Sequence, residues 1–488
     1  MKLENLVHGT DITLTEELKD VEVNGITHNS EKVKQGDAFI CIKGFNTDGH
    51  LYAKDAIRRG ASLVISEKEL PLSGVPLLLT RDTRRTLSKI SANFYGGNSE
   101  SFRIFGITGT NGKTTVSYMI KNILEAGGIP CGILGTIGYQ VKNKKYEPVN
   151  TTPESSTLQR LFAEMREQDI KDCVMEVSSH ALALGRVDDI QFKYTIFTNL
   201  TPDHLDFHKD MENYYQAKKK LFLLGESTCI INWDDPYGER LYNELKVDNK
   251  KVLAYSLLQK NADYFAEIVD YNEKSTTIEV YNNNRAQGII KLNARGKFNI
   301  YNSLAAFATI KETGLLFETI KLGLERLKGV PGRFELVENS KNYLVIVDYA
   351  HTPDALENVL KTIHADGVKG RLISVFGCGG DRDKGKRPLM GEVAGKYSDY
   401  CIITSDNPRT ENQQDILTDI KKGISKTDCD YITIADRYEA IKKAVSIYEE
   451  GDIILIAGKG HETYQIIGNQ KKHFDDREVV VNIIENDG

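Results

Sequence analysis

The stretch GITGTNGKTT, residues 106–115, decides the fold. It follows an apolar run at 102–107 that is typical of a buried strand. The apolar residues after it recur at helical spacing and end at a pair of glycines. This predicts a helix whose buried face holds Val116, Met119, Ile120, Ile123 and Leu124. The order strand, glycine-rich loop, helix predicts a phosphate-binding loop at the edge of a parallel sheet.

The loop carries the groups that phosphate binding needs. Its glycines let backbone N–H groups curl around phosphates, and Lys113 supplies a positive charge. Thr114 or Thr115 can present a hydroxyl to Mg²⁺ at the start of the helix. The strict spacing GxxxxGK followed by Ser or Thr is not met, because Ile107 stands at the first glycine position. The context nevertheless favours nucleotide binding over a purely structural glycine turn.

Other candidate residues lie further along the chain. Glu176 ends a strand-like run and is a candidate Mg²⁺ ligand; a surface glutamate beside a helix-capping serine is the alternative. His204 and His208 are four residues apart, but the residues between them lack the composition of a zinc-binding helix, which disfavours zinc. The lysines at 218–220, considered alone, are typical of a solvent-exposed helix face.

Strand and helix patterns on both sides of the loop divide the chain into three α/β domains. With 488 residues, about 150 per domain, three domains are expected. The boundaries are predicted at a turn-rich linker, 95–99, and at the Pro331-Gly332 turn. This gives a small α/β domain at 1–98, a central parallel-sheet domain with an antiparallel side layer at 99–330, and a doubly wound, Rossmann-like domain at 331–488.

Composition excludes several classes of function. The formal charge of −6 argues against global attraction to nucleic acid or to an anionic membrane. No apolar run reaches the roughly 18 residues of a membrane span, and the first residues do not resemble a signal peptide, so a cytoplasmic location is expected. The seven cysteines, with no CxxC pair, are predicted to be reduced and mostly buried.

Three loops of the third domain follow successive strand-like runs, at 377–387, 405–412 and 457–462. In an open parallel sheet such loops line one crevice. The first reads GCGGDR and lacks the third glycine of a dinucleotide fingerprint, which disfavours NAD. An amino-acid site suits these charged loops better.

Nine blocks occur in order along nearly the whole chain. They are GTNGKTT (109–115), NTTPES (150–155), MEVSSHAL (175–182), TNLTPDHLDFH (198–208), AKKKLF (217–222), GKFNIYNSLAA (296–306), PGRFE (331–335), VDYAHTPD (347–354) and DNPR (406–409). Together they resemble the Mur ligase family. Within that family the chain is most similar to the ligases that add the third residue of the peptidoglycan stem peptide to UDP-N-acetylmuramoyl-L-alanyl-D-glutamate.

The resemblance implies a division of labour between the domains and a reaction. UDP would bind in the first domain, ATP in the central P-loop ATPase domain, and the incoming amino acid in the third. The D-glutamyl γ-carboxylate would attack the γ-phosphate of ATP, and the amine would displace phosphate from the resulting acyl phosphate. No protein nucleophile is needed, so catalysis is mainly positioning and charge neutralisation. A cytoplasmic monomer with small-molecule substrates is expected, without nucleic acid or membrane as partner.

The resemblance also assigns ATP and metal roles to individual residues. Lys218 matches a lysine that is carbamylated by CO₂, and it joins Lys113, Glu176 and His204 as the expected catalytic residues. The expected Mg²⁺ site holds Thr115, Glu176, His204 and carbamylated Lys218. The expected ATP-binding residues are Gly109, Thr110, Asn111, Gly112, Lys113, Thr114, Thr115, Asn299, Asn302, Arg333 and Asp348.

The remaining assignments concern the two other substrates. Residues matching contacts to the UDP-linked muramoyl dipeptide are Ser30, Thr151, Thr152, Ser178 and Arg186. The sequence departs from the family at THNSEKV (27–33), where DSRxV is common, and at Leu184, where some relatives carry glutamine. Residues matching contacts to the amino acid are Arg382, Asp406, Asn407, Pro408, Arg409, Gly458 and Glu462.

Arg409 favours meso-2,6-diaminopimelate over L-lysine, because only diaminopimelate has a distal carboxylate that an arginine fork can bind. Glu462 can accept from the distal ammonium. Two alternative functions remain: an L-lysine ligase, and a folylpolyglutamate synthase, an enzyme that lacks a UDP-binding first domain. A P-loop switch ATPase would need neither the third domain nor its charged loops.

Overall fold

The computed structural model describes residues 1–44, 47–97, 102–271, 275–294, 296–365 and 367–486. The predicted boundary at 98–99, and residues 272–274 and 295 of the predicted side layer, lie outside the described residues. The described chain forms three separate sheets flanked by helices, together with a two-stranded hairpin near the end. The fold is α/β, as the sequence predicts.

The first sheet is parallel, and its four described strands follow chain order. Its strands are β1 (Gly25–Thr27), β2 (Asp37–Ile40), β3 (Leu63–Ser66) and β4 (Leu77–Leu79). Its helices are α1 (Leu3–Leu6), α2 (Glu16–Lys19), α3 (Ala53–Arg58) and α4 (Thr83–Tyr95), with 3₁₀ turns at Ser30–Lys32 and Gly49–Tyr52. Every residue of β2 and β3 is buried, which makes this small α/β layer the core of its region.

The central sheet has eleven strands in the described part of the chain, in the order β15-β14-β13-β12-β11-β10-β5-β9-β6-β7-β8. The strands are β5 (Arg103–Thr108), β6 (Cys131–Gly135), β7 (Gly138–Val141), β8 (Lys144–Tyr146), β9 (Asp172–Glu176), β10 (Tyr194–Phe197), β11 (Thr228–Asn232), β12 (Lys251–Ser256), β13 (Tyr264–Tyr271), β14 (Thr276–Asn282) and β15 (Arg285–Leu292). Pairing is parallel from β13 to β6 and antiparallel at both edges. The predicted antiparallel strands are present as β14 and β15, but they extend the central sheet and do not form a separate side layer.

Helices cover both faces of this sheet. They are α5 (Lys113–Ala126), α6 (Ser155–Glu167), α7 (Ser179–Ala183), α8 (Leu205–His208), α9 (Met211–Leu223), α10 (Pro236–Val247), α11 (Lys297–Lys311) and α12 (Phe317–Arg326). A hydrophobic core lies on each face of the sheet, and side chains of β5 alternate between them. Ile104 packs into one core, and Phe105 and Ile107 pack into the other. β5 lies between β10 and β9, so the phosphate loop leaves the sheet beside Glu176.

The third sheet has the order β16-β17-β21-β18-β19-β20 among the described residues, and it is parallel except for β16. Its strands are β16 (Glu335–Leu336), β17 (Leu344–Asp348), β18 (Leu372–Phe376), β19 (Tyr400–Ile403), β20 (Asp430–Thr433) and β21 (Ile453–Ala457); β22 (Tyr464–Ile467) and β23 (Gln470–His473) form the hairpin. The helices are α13 (Pro353–Ala365), α14 (Lys386–Tyr397), α15 (Gln413–Ile424), α16 (Arg437–Ser446) and α17 (Asp476–Asn486). Crossing connections with helices on both faces confirm the doubly wound prediction.

Two further predictions concern the state of the cysteines and the presence of membrane-spanning helices. All seven cysteines are free; six are buried and Cys429 is partly exposed. Within the described ranges, no helix combines the length and the apolarity that crossing a bilayer would require.

A fully buried ion pair ties α16 to α17. Arg437 donates from Nε and Nη2 to the two Asp476 oxygens at 2.7 Å each, and both side chains are fully buried. Arg437 also donates to the carbonyls of Ser405 and Ala457, at 3.2 and 3.1 Å, which holds two of the strand-end loops in place. We expect Asp476→Ala to destabilise the C-terminal unit by about 3–5 kcal/mol, since it leaves a buried guanidinium unpaired.

Denaturant unfolding monitored by circular dichroism would measure this loss. Glu392→Ala is the matched control, because Glu392 and Lys426 form an exposed pair on the same sheet's helices, and we expect a change of no more than about 0.5 kcal/mol. Equal losses in the two variants would contradict the structural role given to Arg437.

Candidate functional site

A cavity of about 840 Å³ opens between the central and third sheets. One wall is the phosphate loop, 110–115, and the strand-end loops after β9 and β10. The opposite wall is the loop after β17 and the start of α13, at 348–355. The carboxyl ends of parallel strands therefore face one another across the cavity, which is where ligands bind in open α/β sheets.

The phosphate loop is shaped by Gly112, which precedes α5. Its φ is +87°, and a Cβ there would lie 2.4 Å from Oδ1 of Asn302, so a side chain is excluded on both counts. Lys113 folds back over the loop and donates to the carbonyls of Gly109 and Thr110, at 2.9 and 2.8 Å. Burial lowers the pKa of Lys113. The N-terminus of α5 thus faces the cavity with its N–H groups and a lysine, as expected for phosphate binding.

Glu176 ends β9 and is buried beside this helix start. Its Oε2 accepts from the Thr114 and Thr136 hydroxyls, at 3.1 and 3.0 Å, and its Oε1 accepts from the Thr136 backbone N–H at 2.9 Å. The surface-glutamate alternative is therefore wrong, although Ser178 does cap α7 by accepting from Ala181 N–H. Thr114 contacts the carboxylate, and Thr115, which the resemblance assigns to the Mg²⁺ site, is buried and lines the same cavity.

The donor set at this point fits Mg²⁺. Mg²⁺ prefers oxygen ligands, and a buried, oriented carboxylate next to two threonine hydroxyls supplies them. No cluster of three or more His, Cys, Asp or Glu side chains that could hold a metal is present in the described ranges. A cation here would therefore complete its shell with phosphate oxygens and water, as Mg²⁺ commonly does.

Lys218 is fully buried, which corrects the interpretation of 218–220 as a uniformly exposed helix face. Its Nζ donates to the Gly109 carbonyl at 2.8 Å, the same carbonyl that Lys113 contacts, and lies 4.6 Å from the centre of the Tyr214 ring. Burial first, and the nearby Lys113 charge second, hold the pKa of Lys218 well below its usual value. Lys220 of the same helix is exposed.

His204 and His208 have different surroundings. His204 lines the cavity with a left-handed φ of +54°, its Nε2 is 3.3 Å from Asp203 Oδ2, and its ring meets the edge of the His180 ring at 4.8 Å. His208 is buried, and its Nε2 is 2.9 Å from the Ser179 hydroxyl. Both rings contact those of His180 and Tyr214.

The third sheet contributes Arg333 and Asp348 to the cavity. Arg333 donates from Nη2 to the Thr114 hydroxyl at 3.0 Å and lies over the Tyr349 ring. Its buried Nε has no hydrogen-bond partner among the residues that the structure describes, so a donor remains available for a ligand. Asp348, at the end of β17, accepts from the N–H groups of Phe334 and Ala350, and burial raises its pKa.

Asn302 and Asn299 both lie on α11 and are buried, but only Asn302 lines the cavity.

A contact that sequence reasoning missed joins the two walls of the cavity directly. Asp354 Oδ2 accepts from the Asn111 amide and from the Thr201 hydroxyl, each at 2.9 Å. Asp354 belongs to the VDYAHTPD block, which is the signal that could have identified it.

The residues expected to contact the muramoyl dipeptide form a group beside Glu176. Thr152 donates to the Glu176 carbonyl at 2.9 Å, and its hydroxyl accepts from Ser178 N–H at 2.9 Å. The Thr151 hydroxyl is 3.2 Å from that of Thr136. Arg186 donates to the Thr152 carbonyl and is paired with Glu154 at 2.7 Å; its buried Nε has no partner in the described chain.

Ser30 lies between β1 and β2 of the N-terminal sheet, buried at the start of a 3₁₀ turn. This region approaches the dipeptide group, since Arg84 of α4 is 3.9 Å from Glu154. Leu184, the other departure from the family pattern, follows α7 as its C-terminal cap. Sequence reasoning did not single out Glu154, although NTTPES contains it.

The residues expected to bind the amino acid come together at the carboxyl ends of β18, β19 and β21. Asp406, Asn407 and Pro408 are buried, and Arg409 adopts a left-handed φ of +52° and donates to the Gly380 carbonyl at 2.9 Å. Gly458 has a φ of +111°, and a Cβ there would lie 2.6 Å from Asp406 Oδ2.

The charged residues Glu462 and Arg382 complete the set of residues expected to bind the amino acid. Asn407 donates from Nδ2 to Glu462 Oε2 at 2.8 Å. Arg382 is exposed, and partial desolvation followed by the charge of Arg409 lowers its pKa. Both side chains approach Gly379, where a Cβ would lie 2.9 Å from Arg409 Nη1 and 3.7 Å from Arg382 Cγ. Lys459, which sequence reasoning did not single out, contacts both Asn407 and Glu462.

Three stretches of the chain match known domains: residues 22–95 the Mur ligase family catalytic domain, 107–310 the Mur ligase middle domain, and 332–460 the Mur ligase glutamate ligase domain. A protein of Clostridioides difficile (strain 630), named UDP-N-acetylmuramoyl-L-alanyl-D-glutamate--2,6-diaminopimelate ligase, is 46% identical over 98% of both chains. The chain belongs to the Mur ligase family. This Mur ligase is therefore an enzyme, an ATP-dependent ligase that forms amide bonds.

Two further relatives extend this comparison. A protein of Alkaliphilus oremlandii (strain OhILAs) with the same name is 45% identical to this Mur ligase over the full length of both chains. A solved structure of a UDP-N-acetylmuramoyl-L-alanyl-D-glutamate--2,6-diaminopimelate ligase superimposes with a TM-score of 0.70, at 33% identity, over 100% of this chain and 99% of that one. The similarity thus includes all three sheets of this Mur ligase.

Proposed function

We propose that this Mur ligase joins meso-2,6-diaminopimelate to UDP-N-acetylmuramoyl-L-alanyl-D-glutamate, with conversion of ATP to ADP and phosphate. The observation that carries the proposal is a cavity at which the phosphate loop and Glu176 face Arg333 and Asp348, with the 457–462 loop next to its lining residue Tyr349, whose ring centre is 5.1 Å from that of His461. The phosphate loop with Glu176 lies on one wall, and the loops bearing Arg409 and Glu462 follow the strands of the opposing sheet. The names of the full-length relatives support the same substrates.

The proposal assigns one task to each domain. Residues 1–98 bind UDP, residues 99–330 bind ATP and the dipeptide end of the precursor, and residues 331–488 select the amino acid. The enzyme acts as a monomer in the cytoplasm, since ATP and a nucleotide-linked precursor are intracellular metabolites. The contacts of Arg333 with Thr114 and of Asp354 with Asn111 support a monomer, because a single chain completes the cavity.

In the first step a D-glutamyl carboxylate oxygen attacks the γ-phosphorus of ATP, which forms an acyl phosphate and releases ADP. Lys113 and Arg333 lie at the phosphate loop and neutralise charge that develops on the transferred group. The α5 N-terminus adds backbone N–H donors. Glu176 and the neighbouring threonine hydroxyl would hold Mg²⁺, which would supply further neutralisation of the phosphates.

In the second step the amine of the amino acid attacks the acyl carbon, and phosphate leaves from the tetrahedral intermediate. This chain contributes position rather than a nucleophile. Thr152, Ser178 and Arg186 hold the dipeptide beside Glu176, and the 405–409 loop holds the incoming amino acid.

The proposal includes a carbamate on Lys218. A neutral amine adds to CO₂, forming an N–C bond and releasing a proton, and the depressed pKa of Lys218 supports a neutral amine. Two lysine side chains that share one carbonyl acceptor repel each other when both are charged. A carbamate would supply a carboxylate-like group next to Lys113 and reverse that repulsion.

Purified protein provides the direct test. We expect ADP and phosphate release only when UDP-MurNAc-L-Ala-D-Glu and meso-diaminopimelate are both present, with a product whose mass is the sum of the two substrates less water. Phosphate release and mass spectrometry measure this. Pyrophosphate release would contradict the proposal, and so would equal turnover with L-lysine. Release of phosphate without any acceptor would instead indicate a switch ATPase.

A further inference from the structure

The carboxylate of Asp354 links the third domain to the phosphate loop, and the reaction steps described above give it no role. Asp354 lies in the first turn of α13, and its Oδ2 accepts from the Asn111 amide and from the Thr201 hydroxyl at 2.9 Å each. Asn111 belongs to the phosphate loop, and Thr201 follows β10. One oxygen atom of the third domain thus receives hydrogen bonds from two loops of the central domain.

The two loops that donate to Asp354 are also held to each other. The Thr201 N–H donates to the Thr110 hydroxyl at 3.0 Å, and that hydroxyl donates to the Thr201 carbonyl at 3.1 Å. The Asn111 N–H donates to Asn199 Oδ1 at 2.9 Å. Because hydrogen bonds need heavy-atom distances of about 2.7–3.2 Å, both donors can reach Asp354 only within a narrow range of positions of α13.

Asp354 is also oriented from within the third domain. Asn358, one turn later in α13, donates to the same oxygen at 3.3 Å, and the Thr352 hydroxyl accepts from the Ala355 N–H at 3.2 Å at the start of the helix. The segment 348–352, which connects β17 to α13, lines the cavity. The contacts of Asp354 with the central domain therefore set where this wall of the cavity lies relative to the phosphate loop.

A second contact from the third domain reaches the other end of the phosphate loop. Arg333 Nη2 donates to the Thr114 hydroxyl at 3.0 Å, three residues beyond Asn111. Lys471 and Glu147 also pair between the two domains, at 3.7 Å, but both side chains are exposed and such a pair contributes little. Without Asp354, the third domain would be held to the phosphate loop at one end and free to shift at the other.

We propose that Asp354 is a positioning residue that couples ATP consumption to amide-bond formation. The acyl phosphate forms at the phosphate loop, and either the amine held by the third domain or water can attack its acyl carbon. The amine forms the C–N bond and releases phosphate and a proton. Water forms a C–O bond, releases phosphate and returns the D-glutamyl carboxylate, so that ATP is hydrolysed without product. Asp354 keeps the two domains in the relative position at which the amine reaches the acyl carbon first.

The ratio of ADP released to amide formed tests this in Asp354→Ala. The inference rests on the proposed function, because it concerns the partition of its acyl phosphate. Misplacing a reacting group by about 1 Å can slow its reaction about 10²-fold, so we expect the ratio to rise from equal amounts to about three ADP per amide or more. A coupled assay for ADP and mass spectrometry of the product measure the two quantities.

Two variants of α13 serve as matched controls. Asp354→Asn keeps an oxygen acceptor at the same place and should still release nearly equal amounts of ADP and amide. Glu357→Ala removes a carboxylate whose partners, Lys361 and Tyr397, both lie in the third domain, and it should also keep equal amounts. A raised ratio in Glu357→Ala would overturn the inference, since any disturbance of α13 would then uncouple the reaction.

Thr201→Val removes a donor to Asp354 from the central domain, and it remains informative if Asp354→Ala does not fold. Valine keeps the backbone groups that contact Thr110. We expect a smaller rise in the ratio, and no additional rise when Thr201→Val is combined with Asp354→Ala. A loss of ADP and amide in equal proportion would overturn the inference, because a merely structural role gives that result. If the wild-type protein forms no amide from diaminopimelate, the proposed function fails instead.

Discussion

Replacement of Lys218 by alanine is expected to remove nearly all ligase activity, a fall in kcat of about 10³-fold. Lys218 is buried against the phosphate loop, and the Gly109 carbonyl that it contacts also anchors Lys113. A carbamate at this position would help to orient the phosphates, and losing such a preorganised charge typically costs about 10²- to 10³-fold in rate. Phosphate release with all three substrates present is the measurement.

Chemical rescue identifies which form of Lys218 acts. A short-chain carboxylate such as acetate can enter the space left by the side chain and should restore part of the activity of Lys218→Ala. Rescue by methylamine but not by acetate would mean that the ammonium form acts, and near-normal activity of the variant would exclude both roles. Lys220→Ala is the control, since Lys220 lies on the same helix but is exposed, and it should retain full activity.

Replacement of Arg409 by lysine is expected to lower kcat/KM for meso-diaminopimelate by about 10²- to 10³-fold, mainly through KM. Lysine keeps the charge but cannot form the paired N–H contacts with a carboxylate that a guanidinium forms. Truncating one partner of a buried charged pair costs about 2–5 kcal/mol, which corresponds to this range. The KM values for ATP and for the UDP-linked substrate should stay the same.

The matched comparison for Arg409 uses L-lysine as substrate. Because L-lysine has no distal carboxylate, its weak turnover should not fall in Arg409→Lys. Lys384→Ala is the control for charge alone, since Lys384 is exposed and paired with Glu411 close to this loop. Equal losses for both amino acids would assign Arg409 a purely structural role, such as holding the Gly380 carbonyl.

Much of the fold could be predicted because strands and helices leave local patterns. The strand-like runs predicted before the loops at 377–387 and 457–462 are present as β18 (Leu372–Phe376) and β21 (Ile453–Ala457). The helix after the phosphate loop ends at Gly127 as its pattern indicates. These segments are buried on one or both faces, so their spacing of apolar residues reports their environment directly.

The candidate site could be predicted less completely, because the local sequence does not show whether a charged residue is buried or exposed. Three adjacent lysines at 218–220 look alike in sequence, yet only Lys218 lies on the face that also carries Tyr214 and Leu221. The helical spacing of these three residues was a usable signal. Glu176 could be read as a surface residue because the threonines that bind it come from two other segments of the chain.

The sequence by itself determined the α/β class, the phosphate loop and the order of the family blocks, since each depends on residues close together in the chain. Tertiary structure alone decided which groups meet at the cavity. Arg333 reaches Thr114 across 219 positions, and Asp354 reaches Asn111 across 243. Such contacts depend on how two sheets face each other, and no local pattern of apolar and polar residues encodes that geometry.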